Sequence, residues 1–573
     1  MPVARVLRFA ACLLGAAAAT AWAQATTTPP SGTNPPQKPP TALVEGKVVD
    51  QVSGSPLKKT ALTLRPNGTG KTVATETDEQ GRFSFPKVEP GTYWLIGQRV
   101  GYAQQYYNGH SGTSYGAVLP LEPGNEVKNL VFKLIPNVLI SGKVLDEDGD
   151  PIARATVTAL RYMYRTSGRQ LQSAEAAQTG ANGEYSMSVP PGRYVLMAVS
   201  TATMMQGLNA QAAKPASDAP EMAYTTTFYP NSTDESGASA SEATAGQELR
   251  GMDFHMVKVK TYRVRGKVPE STTAISMLQL VPQGSSQTAR YAPRMTQVQS
   301  DKSFEFVGVV PGSYNLMSNG PGGVNITRQP ITVDDRHIEG LVPVLTPMGQ
   351  LTGTVAIEGQ DTPNSPQGTP TTPPGSQTTS GPGVTPPGSV AGIMVGFDSY
   401  DNGTNPSAIT KEDGKFSIGY ILPGRYHPWV GYPPKGGYAK AIRYDGRDIK
   451  DEALDITEGI TGPVEVVMSL NGADVSGVVV DEDGNPFPGA TVMLIPNSGA
   501  YLMHYSSNTD YQGQFHFTMA IRPGDFKVLA LEDAIYLAWF DKEFMKPYMG
   551  KSTNLSVSEN DKKTLALKVV RLM

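Results

Sequence analysis

The feature that most constrains the fold of this chain is a Pro-Gly turn that recurs five times. In each copy an aromatic residue follows the glycine after one intervening residue. Proline fixes its own φ and glycine accepts a positive φ, so the pair reverses the chain sharply. The copies lie about 100 to 120 residues apart, which predicts a tandem array of similar modules. They are Pro90–Tyr93, Pro191–Tyr194, Pro311–Tyr314, Pro423–Tyr426 and Pro523–Phe526.

A second turn lies roughly eight to twelve residues before each Pro-Gly turn. It contains Asp, Asn or Glu, usually with Gly, and an aromatic residue follows it. Apolar residues then alternate, as in Phe83 and Phe85, and a period of two places such a pair on one face of a strand. We call these the Asx-Gly turns: Asp78–Phe83, Ala181–Tyr185, Asp301–Phe304, Glu412–Phe416 and Asp510–Phe515.

Each repeat also opens with a short strand built around a glycine. Sustained helical periodicity is hard to find, and many short strands with regular turns predict an all-β sandwich for each repeat. The aromatic residue after the Pro-Gly turn is predicted to bond its hydroxyl to the backbone, as in a tyrosine corner. The glycine-centred strands are Val44–Val48, Ile140–Val144, Val264–Val268, Leu351–Val355 and Val475–Val479.

These three signatures together resemble the carboxypeptidase regulatory-like family. The resemblance implies a transthyretin-like or immunoglobulin-like sandwich, related to the B-type repeats of collagen adhesins, in a secreted bacterial protein. It also implies an accessory role, since such domains serve as spacers, stalks and accessory modules. The expected fold class is therefore all-β, a tandem array of about five such β-sandwich domains.

The repeats set the expected domain boundaries. The joints between repeats are short, as at 135–137 and 470–472, which predicts a semi-rigid rod. A Pro/Gly-rich insertion at 359–389 within the fourth repeat is predicted to be disordered. The expected segments are a signal peptide at 1–23, a Thr/Pro-rich linker at 24–41, and β-sandwiches at 42–136, 137–260, 261–346, 347–470 and 471–573.

The N-terminus has the pattern of a secretory signal peptide. Arg5 and Arg8 precede an apolar run at 9–19, and cleavage is expected near Ala23. The run is too short to span a membrane, and no transmembrane span is expected in the mature chain. The only cysteine, Cys12, would be removed with this segment, so no disulfide is expected. The expected location is the periplasm, the cell surface or the medium.

Charge and motifs argue against two classes of function. The net charge is −4 and the charged residues are interspersed, so nucleic acid is not an expected partner. The six histidines include no His-x-x-Glu pair, and no Gly-x-Ser-x-Gly elbow occurs in a strand-turn-helix context. Neither a zinc carboxypeptidase nor a serine hydrolase is therefore indicated. The sequence predicts a non-enzyme, and an enzyme with an unrecognised site remains an alternative.

One acidic turn is a candidate calcium site. Asp146, Asp148 and Asp150 place carboxylates at alternate positions, as calcium loops do. The distal Glu and the helical frame of an EF-type loop are missing, and a similar turn in the fifth repeat has Asn485 in place of Asp150. A solvated hairpin turn is therefore the favoured interpretation and calcium the alternative. No other cofactor is expected.

Aromatic clusters are the candidates for ligand binding. Exposed aromatic rings stack on sugar rings and tolerate a polar rim. These rings recur at similar places after the turn, however, which favours the interpretation that they cap the sandwich or cover an edge strand. The candidate carbohydrate-binding residues are Tyr106, Tyr107, Phe228, Tyr229, Trp429, Trp539 and Tyr548.

The sequence thus predicts a non-catalytic, extracytoplasmic scaffold or binding protein of the bacterial cell envelope. The alternative is a carbohydrate-binding accessory protein that uses exposed aromatic residues. The expected partners are accordingly a polysaccharide or an envelope protein.

Overall fold

The computed structural model describes residues 39–68, 70–109, 116–165, 168–200, 221–270, 275–283, 294–319, 325–346, 348–359, 388–400, 404–497, 505–533, 538 and 541–572. The predicted signal peptide lies outside these residues, as do most of the predicted linker and most of the predicted insertion. Within the described residues the chain forms 42 β-strands, an α-helix and a 3-10 turn at Glu235–Gly237.

The strands form five successive modules. Module 1 contains β1 (Ala42–Asp50), β2 (Ala61–Pro66), β3 (Val73–Glu76), β4 (Arg82–Val88), β5 (Gly91–Gln98), β6 (Gln105–Tyr106), β7 (Val118–Leu121) and β8 (Glu126–Leu134). Module 2 contains β9 (Val138–Leu145), β10 (Ala155–Arg165), β11 (Gly168–Gln178), β12 (Glu184–Val189), β13 (Gly192–Ser200), β14 (Met222–Tyr224), β15 (Thr227–Phe228), β16 (Ala240–Ala243), β17 (Glu248–Leu249), β18 (Phe254–His255) and β19 (Lys258–Lys260). Module 3 contains β20 (Tyr262–Lys267), β21 (Met277–Pro282), β22 (Arg294–Gln297), β23 (Ser303–Val309), β24 (Gly312–Asn319), β25 (Asn325–Val333) and β26 (Ile338–Leu341).

The last two modules complete the array. Module 4 contains β27 (Gly349–Ile357), β28 (Met394–Ser399), β29 (Ser407–Ile409), β30 (Lys415–Ile421), β31 (Arg425–Gly431), β32 (Tyr438–Tyr444), β33 (Arg447–Asp448), β34 (Leu454–Asp455) and β35 (Val464–Ser469). Module 5 contains β36 (Asp474–Val480), β37 (Thr491–Pro496), β38 (Tyr505–Asn508), β39 (Gln514–His516), β40 (Gly524–Leu531), helix α1 (Lys542–Met549), β41 (Thr553–Val557) and β42 (Lys562–Val570).

The first strand of every module pairs on both sides within one sheet. It is antiparallel to the strand that follows the Asx-Gly turn and parallel to a strand from the end of the module. In module 1, for example, β1 is antiparallel to β4 and parallel to β8. The equivalent sets are β12-β9-β17, β23-β20-β26, β30-β27-β35 and β39-β36-β42. The strand after the Asx-Gly turn buries its alternating aromatic residues, since Phe83 and Phe85 are nearly fully buried with ring centroids 6.0 Å apart.

The Pro-Gly turn carries the chain from this sheet to the second. The strand after the turn pairs antiparallel with the second strand of the module, as β5 does with β2 and β40 with β37. The inner faces of the sheets enclose a hydrophobic core in each of the five modules. In module 5, β40 also pairs with β42 and joins the two layers. The predicted fold class, a tandem array of β-sandwiches, is confirmed.

The predicted tyrosine corner is present in modules 1 to 4. The hydroxyls of Tyr93, Tyr194, Tyr314 and Tyr426 donate to the carbonyl oxygen four residues earlier, at 2.9, 2.7, 2.7 and 2.7 Å. In module 5 the equivalent residue is Phe526, which has no hydroxyl. The glycine of the turn, such as Gly424 with φ of 151°, adopts a conformation that other residues take only under strain.

The glycine at the centre of each first strand is required by close packing. A Cβ atom on Gly353 would overlap the carbonyl oxygen of Val464 in β35 and the ring of Phe416 in β30. A Cβ atom would likewise overlap a carbonyl oxygen near the end of the same module at Gly46, Gly142, Gly266 and Gly477. The missing side chain therefore lets the neighbouring strand and an aromatic ring approach the first strand closely.

Helix α1 covers the outer face of module 5. Asp541 caps the helix, and its Oδ1 accepts hydrogen bonds from the N–H groups of Glu543 at 2.9 Å and Phe544 at 3.1 Å. Met545 and Tyr548 pack against a buried cluster that includes residues of β37 and β40. Among the described residues, no helix has the length and apolar character needed to cross a membrane.

Candidate binding cleft

Module 5 contacts module 1 through the Asx-Gly turn that contains Tyr511. The N–H of Tyr511 donates to the carbonyl oxygen of Val118 over 3.2 Å, and its ring packs against the core of module 1. Asp510 and Val118 form an isolated parallel β-bridge. A Cβ on Gly489 would overlap the carbonyl oxygen of Asn108, so the two backbones approach closely there as well. The first and last modules are thus joined by backbone and side-chain contacts.

A cleft of about 1220 Å³ opens beside this contact, between modules 1 and 5. Trp94 lines it from module 1, and Tyr511 and Phe515 line it from module 5. Amide and hydroxyl groups both donate and accept hydrogen bonds, so this lining suits a polar ligand that also presents an apolar ring face. The amide and hydroxyl side chains are those of Asn67, Thr92, Asn125, Ser476, Ser506, Ser507, Asn508, Gln512, Gln514, Thr518 and Thr564.

Trp94 is held in the cleft by neighbouring side chains. Its ring contacts Tyr106 edge-to-face, with centroids 5.6 Å apart and an interplanar angle of 82°. Arg65 donates to the hydroxyl of Tyr106 over 2.7 Å, and its guanidinium lies 5.6 Å from the centroid of that ring. Tyr106, one of the predicted sugar-binding residues, therefore lies directly behind the indole that lines the cleft.

The ionisable groups of the cleft are mostly engaged in local hydrogen bonds. Oδ1 of Asp510 accepts from the N–H groups of Gln512 and Gln514, both at 2.8 Å, and burial raises the pKa of Asp510. Nε2 of His516 lies 2.8 Å from Oδ1 of Asp474. The described part of the chain contains no group of three His, Cys, Asp or Glu side chains that could hold a metal ion.

Module 5 contacts module 4 through a partly buried ion pair. Nη1 of Arg522 donates to Oδ1 of Asp451 over 2.7 Å, and the N–H of Arg522 donates to the hydroxyl of Tyr505 over 3.2 Å. Nearby, the hydroxyl of Tyr438 donates to Oε1 of Glu559 over 2.8 Å. Burial by itself would raise the pKa of Asp451, but the hydrogen bond and charge of Arg522 hold it below its usual value.

His427 is buried next to this ion pair. The residue is 3% exposed, and neither ring nitrogen has a hydrogen-bond partner among the described residues. Burial lowers the pKa of His427 to about 4; the charge of Asp451 opposes this change and that of Arg522 reinforces it. The imidazole is therefore neutral at pH 7.

Module 5 also contacts module 2. The ring of Phe544 on α1 lies 5.3 Å from that of Tyr164 on β10. Module 5 thus touches modules 1, 2 and 4. The predicted semi-rigid rod is wrong, because in a straight rod the first and last modules could not meet.

Three of the predicted sugar-binding residues are buried. Tyr107, Phe228 and Tyr548 are 8%, 6% and 4% exposed, respectively. Tyr107 packs edge-to-face on Phe132 in the core of module 1, and the other two belong to apolar clusters of modules 2 and 5. A ring without an exposed face cannot stack on a sugar, so the prediction does not hold for these three residues.

Two further candidates are half-buried, and one lies outside the described residues. Tyr229 contacts Phe254 edge-to-face, with centroids 6.0 Å apart. Nε1 of Trp429 donates to Oδ1 of Asp398 over 3.0 Å, and its ring lies against the backbone of β28. Trp539 is the candidate outside the described residues. For these three residues, sugar binding stays a prediction.

The three predicted calcium ligands do not converge on a common point. Oδ1 of Asp146 accepts from the N–H groups of Asp148 at 3.1 Å and Asp150 at 2.9 Å, and its Oδ2 lies 3.5 Å from Nζ of Lys258. The side chains of Asp148 and Asp150 are exposed to solvent. The Asp146 carboxylate is thus engaged by its own turn and by a lysine, and calcium binding at this turn stays an alternative.

Trp94 and Tyr511 are not among the residues predicted from the sequence. Trp94 lies between the buried Tyr93 and Leu95, so strand alternation turns it outward. Tyr511 lies four residues before Phe515, the aromatic residue that ends its Asx-Gly turn, and an aromatic residue there is unusual in this chain. The residues at the same distance in the other modules are small or acidic: Glu79, Ala181, Ser300 and Glu412.

Residues 44–126 and 139–215 match the family model of the carboxypeptidase regulatory-like domain. The first two modules are carboxypeptidase regulatory-like domains. Modules 3 to 5 repeat the strand pairing of these carboxypeptidase regulatory-like domains, so the chain is a multi-repeat protein of this type. The inter-module cleft is therefore built from one carboxypeptidase regulatory-like domain and the last of its structural repeats.

Solved structures of pilins and of one further bacterial protein share weak similarity with this chain of carboxypeptidase regulatory-like modules. The minor pilin GBS52 of Streptococcus agalactiae is 13% identical over 38% of this chain and 97% of its own, with a TM-score of 0.21. The major pilin BcpA of Bacillus cereus is 10% identical over 53% and 99%, with a TM-score of 0.14. The TIE protein of Bacillus anthracis is 11% identical over 76% and 74%, with a TM-score of 0.15. Scores this low mean that the whole chains do not superimpose. A comparison with curated proteins gives no match.

Proposed function

We propose that this protein is a non-catalytic scaffold or binding protein of the bacterial cell envelope, secreted through its signal peptide and cleaved near Ala23. The observation that carries the proposal is the position of module 5, which contacts modules 1, 2 and 4 and borders an open cleft. These contacts place module 5 against three of the other four modules. A partner in the cleft would touch both ends of the array at once.

The contact between modules 1 and 5 is small compared with the cores that it joins. It rests on the Tyr511 ring, one backbone hydrogen bond and the close approach at Gly489. Interfaces between domains of one chain resemble transient protein interfaces and permit relative motion. A ligand that bridges Trp94 and Tyr511 would therefore favour the closed arrangement over any open one.

A carbohydrate ligand is favoured by the lining of the cleft. Sugars need paired donors and acceptors for their hydroxyls and a flat apolar surface for their C–H groups, and aromatic rings supply that surface. The cleft combines many amide and hydroxyl side chains with the half-buried rings of Trp94 and Tyr511. This combination supports binding of a neutral polysaccharide at the boundary between the two modules.

Retention on insoluble polysaccharides tests the carbohydrate proposal. The mature protein is incubated with cellulose, chitin, xylan and peptidoglycan beside Trp94→Ala and Tyr511→Ala. Tyr420→Ala is the matched control, since it removes an exposed ring of module 4 outside the cleft. We expect retention of the wild type and Y420A on at least one polymer and its loss in W94A. Equal retention of all variants would contradict binding in the cleft, and no retention would leave an envelope protein as the expected partner.

Cell fractionation tests the proposed location. The full chain is produced in a bacterium with a C-terminal tag, and the mass of the tagged protein is measured in each fraction. A chain that begins near Gln24, found outside the cytoplasm, is the expected result. A full-length chain that stays in the cytoplasm would contradict the envelope proposal.

A further inference from the structure

Arg294 is a buried cationic residue of module 3. It is the first residue of β22, and its side chain points to the same face of the strand as the buried Thr296. The residue is 6% exposed, and neither Nη1 nor Nη2 has a hydrogen-bond partner among the described residues. An unpaired guanidinium is among the costliest groups to bury, so its position calls for a counter-charge.

Arg294 is one of the residues that line a cavity of about 400 Å³ between modules 2 and 3. The apolar part of the wall includes Val199 and Val259 of module 2 and Val310 of module 3. Hydroxyl-bearing side chains, among them Thr226 and Thr233, supply the polar part. This combination of an apolar wall, a few hydroxyls and one charged group is typical of small-molecule sites.

The described residues that line the cavity include no Asp or Glu. Tyr314 lies beside Arg294, but burial raises the pKa of Tyr314 to about 12 and its hydroxyl donates to Val310, so it brings no negative charge. The segment 284–293, which precedes Arg294 in the chain, contains no acidic residue in its sequence. Burial lowers the pKa of Arg294 to about 10, which leaves the guanidinium charged at pH 7.

We propose that the cavity between modules 2 and 3 binds a small organic carboxylate, whose carboxylate group pairs with Arg294. The planar guanidinium presents two N–H donors in the geometry that fits both oxygens of a carboxylate. One positive charge balances one carboxylate, whereas a doubly charged phosphate would remain half compensated. The valine walls accommodate the apolar body of the ligand, and the threonine hydroxyls bond to its polar substituents.

Titration calorimetry of the mature protein with named probes tests this proposal. D-glucuronate and benzoate are the carboxylates, D-glucose and benzamide their uncharged counterparts, and inorganic phosphate the comparison anion. We expect binding of at least one carboxylate, none of its uncharged counterpart, and at least tenfold weaker binding in Arg294→Met, as loss of charge-assisted hydrogen bonds implies. Binding that is unchanged in R294M, absent for both carboxylates, or tighter for phosphate would overturn the proposal.

The thermal stability of R294M gives a second readout that does not depend on the choice of probe. Methionine fills much of the same space without a charge, so the midpoint of thermal unfolding in the absence of ligand is expected to stay the same or to rise. A lower midpoint would mean that Arg294 already has a partner in the free protein, which would also overturn the proposal.

Asp218 provides the control for such an internal partner. It is an acidic residue of the segment 201–220, which lies outside the described residues. Asp218→Asn is expected to bind the carboxylate probe as the wild type does and to keep the same thermal midpoint. If D218N instead raised the affinity for the probe or lowered the midpoint, Asp218 would be the partner of Arg294 and the proposal would fail.

Discussion

The backbone N–H of Tyr511 in the last module donates to the carbonyl oxygen of Val118 in the first module over 3.2 Å. The Tyr511 ring packs on the core of module 1 at the same point, so the contact combines a directional bond with apolar burial. The free energy of a single hydrogen bond is about 1 kcal/mol, and burial of an aromatic ring adds roughly 2 kcal/mol. A contact of this size closes the array but leaves it able to open.

The closed arrangement predicts that an engineered disulfide links modules 1 and 5. Val118 and Asp510 are paired in a β-bridge, and bridge partners lie within the Cα separation that a disulfide spans. The mature chain lacks other cysteines if cleavage occurs near Ala23, so Val118→Cys with Asp510→Cys should form the bond on mild oxidation. Mass spectrometry of proteolytic fragments detects it.

The matched control for that disulfide is Val118→Cys with Asp301→Cys. Asp301 lies in the Asx-Gly turn of module 3, and its Oδ1 likewise accepts from a backbone N–H, that of Ser303 at 3.0 Å. This pair should remain reduced. Equal cross-linking of both pairs would show that the modules meet at random, and the closed arrangement would then be incorrect.

Gly353 and Gly419 are expected to differ sharply in their tolerance of alanine. A Cβ on Gly353 would overlap Val464 and Phe416, whereas one on Gly419 would meet no atom within 4 Å. We expect Gly353→Ala to lower the free energy of unfolding by about 3 kcal/mol, at the upper end of ordinary overpacking costs. G419A should change it by less than about 0.5 kcal/mol. Calorimetric unfolding of both variants checks this, and similar midpoints would contradict the steric explanation of the strand glycines.

The tyrosine corner of module 4 is expected to contribute measurably to stability. Tyr426 is fully buried, and its hydroxyl donates to the carbonyl oxygen of Leu422 over 2.7 Å. Tyr426→Phe leaves that carbonyl unpaired and should cost about 1 to 2 kcal/mol of unfolding free energy. Tyr420→Phe, which alters an exposed ring on the preceding strand, should cost close to nothing. If the two variants unfolded alike in denaturant, the corner would contribute nothing.

Acid is expected to destabilise the wild type through His427. Its pKa is about 4 in the folded state and about 6.5 in the unfolded state, so the unfolded state binds more protons between these values. Stability should therefore be full above about pH 6.5 and fall as the pH drops toward 4, by about 3 kcal/mol in total. His427→Phe removes this contribution. Thermal midpoints measured at pH 7 and pH 5 should separate more in the wild type than in H427F, and equal separations would show that His427 does not titrate as proposed.

The architecture of each module could be predicted because its signals are local. The Pro-Gly turn specifies its corner through Gly424 and its equivalents, and alternation places Phe83 and Phe85 inside the sandwich. Tyr93 and its counterparts bond to a carbonyl only four residues away. Such contacts lie within a few residues of the motif that causes them, and they recur from module to module.

The arrangement of the modules could not be predicted in the same way. The contact of Tyr511 with Val118 joins surfaces that are far apart in sequence and occur once, so no repeat reveals them. Burial likewise depends on neighbours from distant strands, so the sequence alone leaves open whether Tyr107 and Phe228 are exposed or buried. Arg294 gives no sequence signal at all, since a lone arginine in an alternating strand normally faces solvent.

The parallel pairing of the first strand of each module with a strand near the end of that module fixes where the chain enters and leaves. Two parallel neighbours start at the same end of a sheet, so a chain that enters where β1 begins leaves at the opposite end, where β8 finishes. A new copy can then be appended by tandem gene duplication without a return crossing and without rethreading an existing sandwich. The length of such a protein can therefore change by whole units during evolution while each unit keeps its own fold.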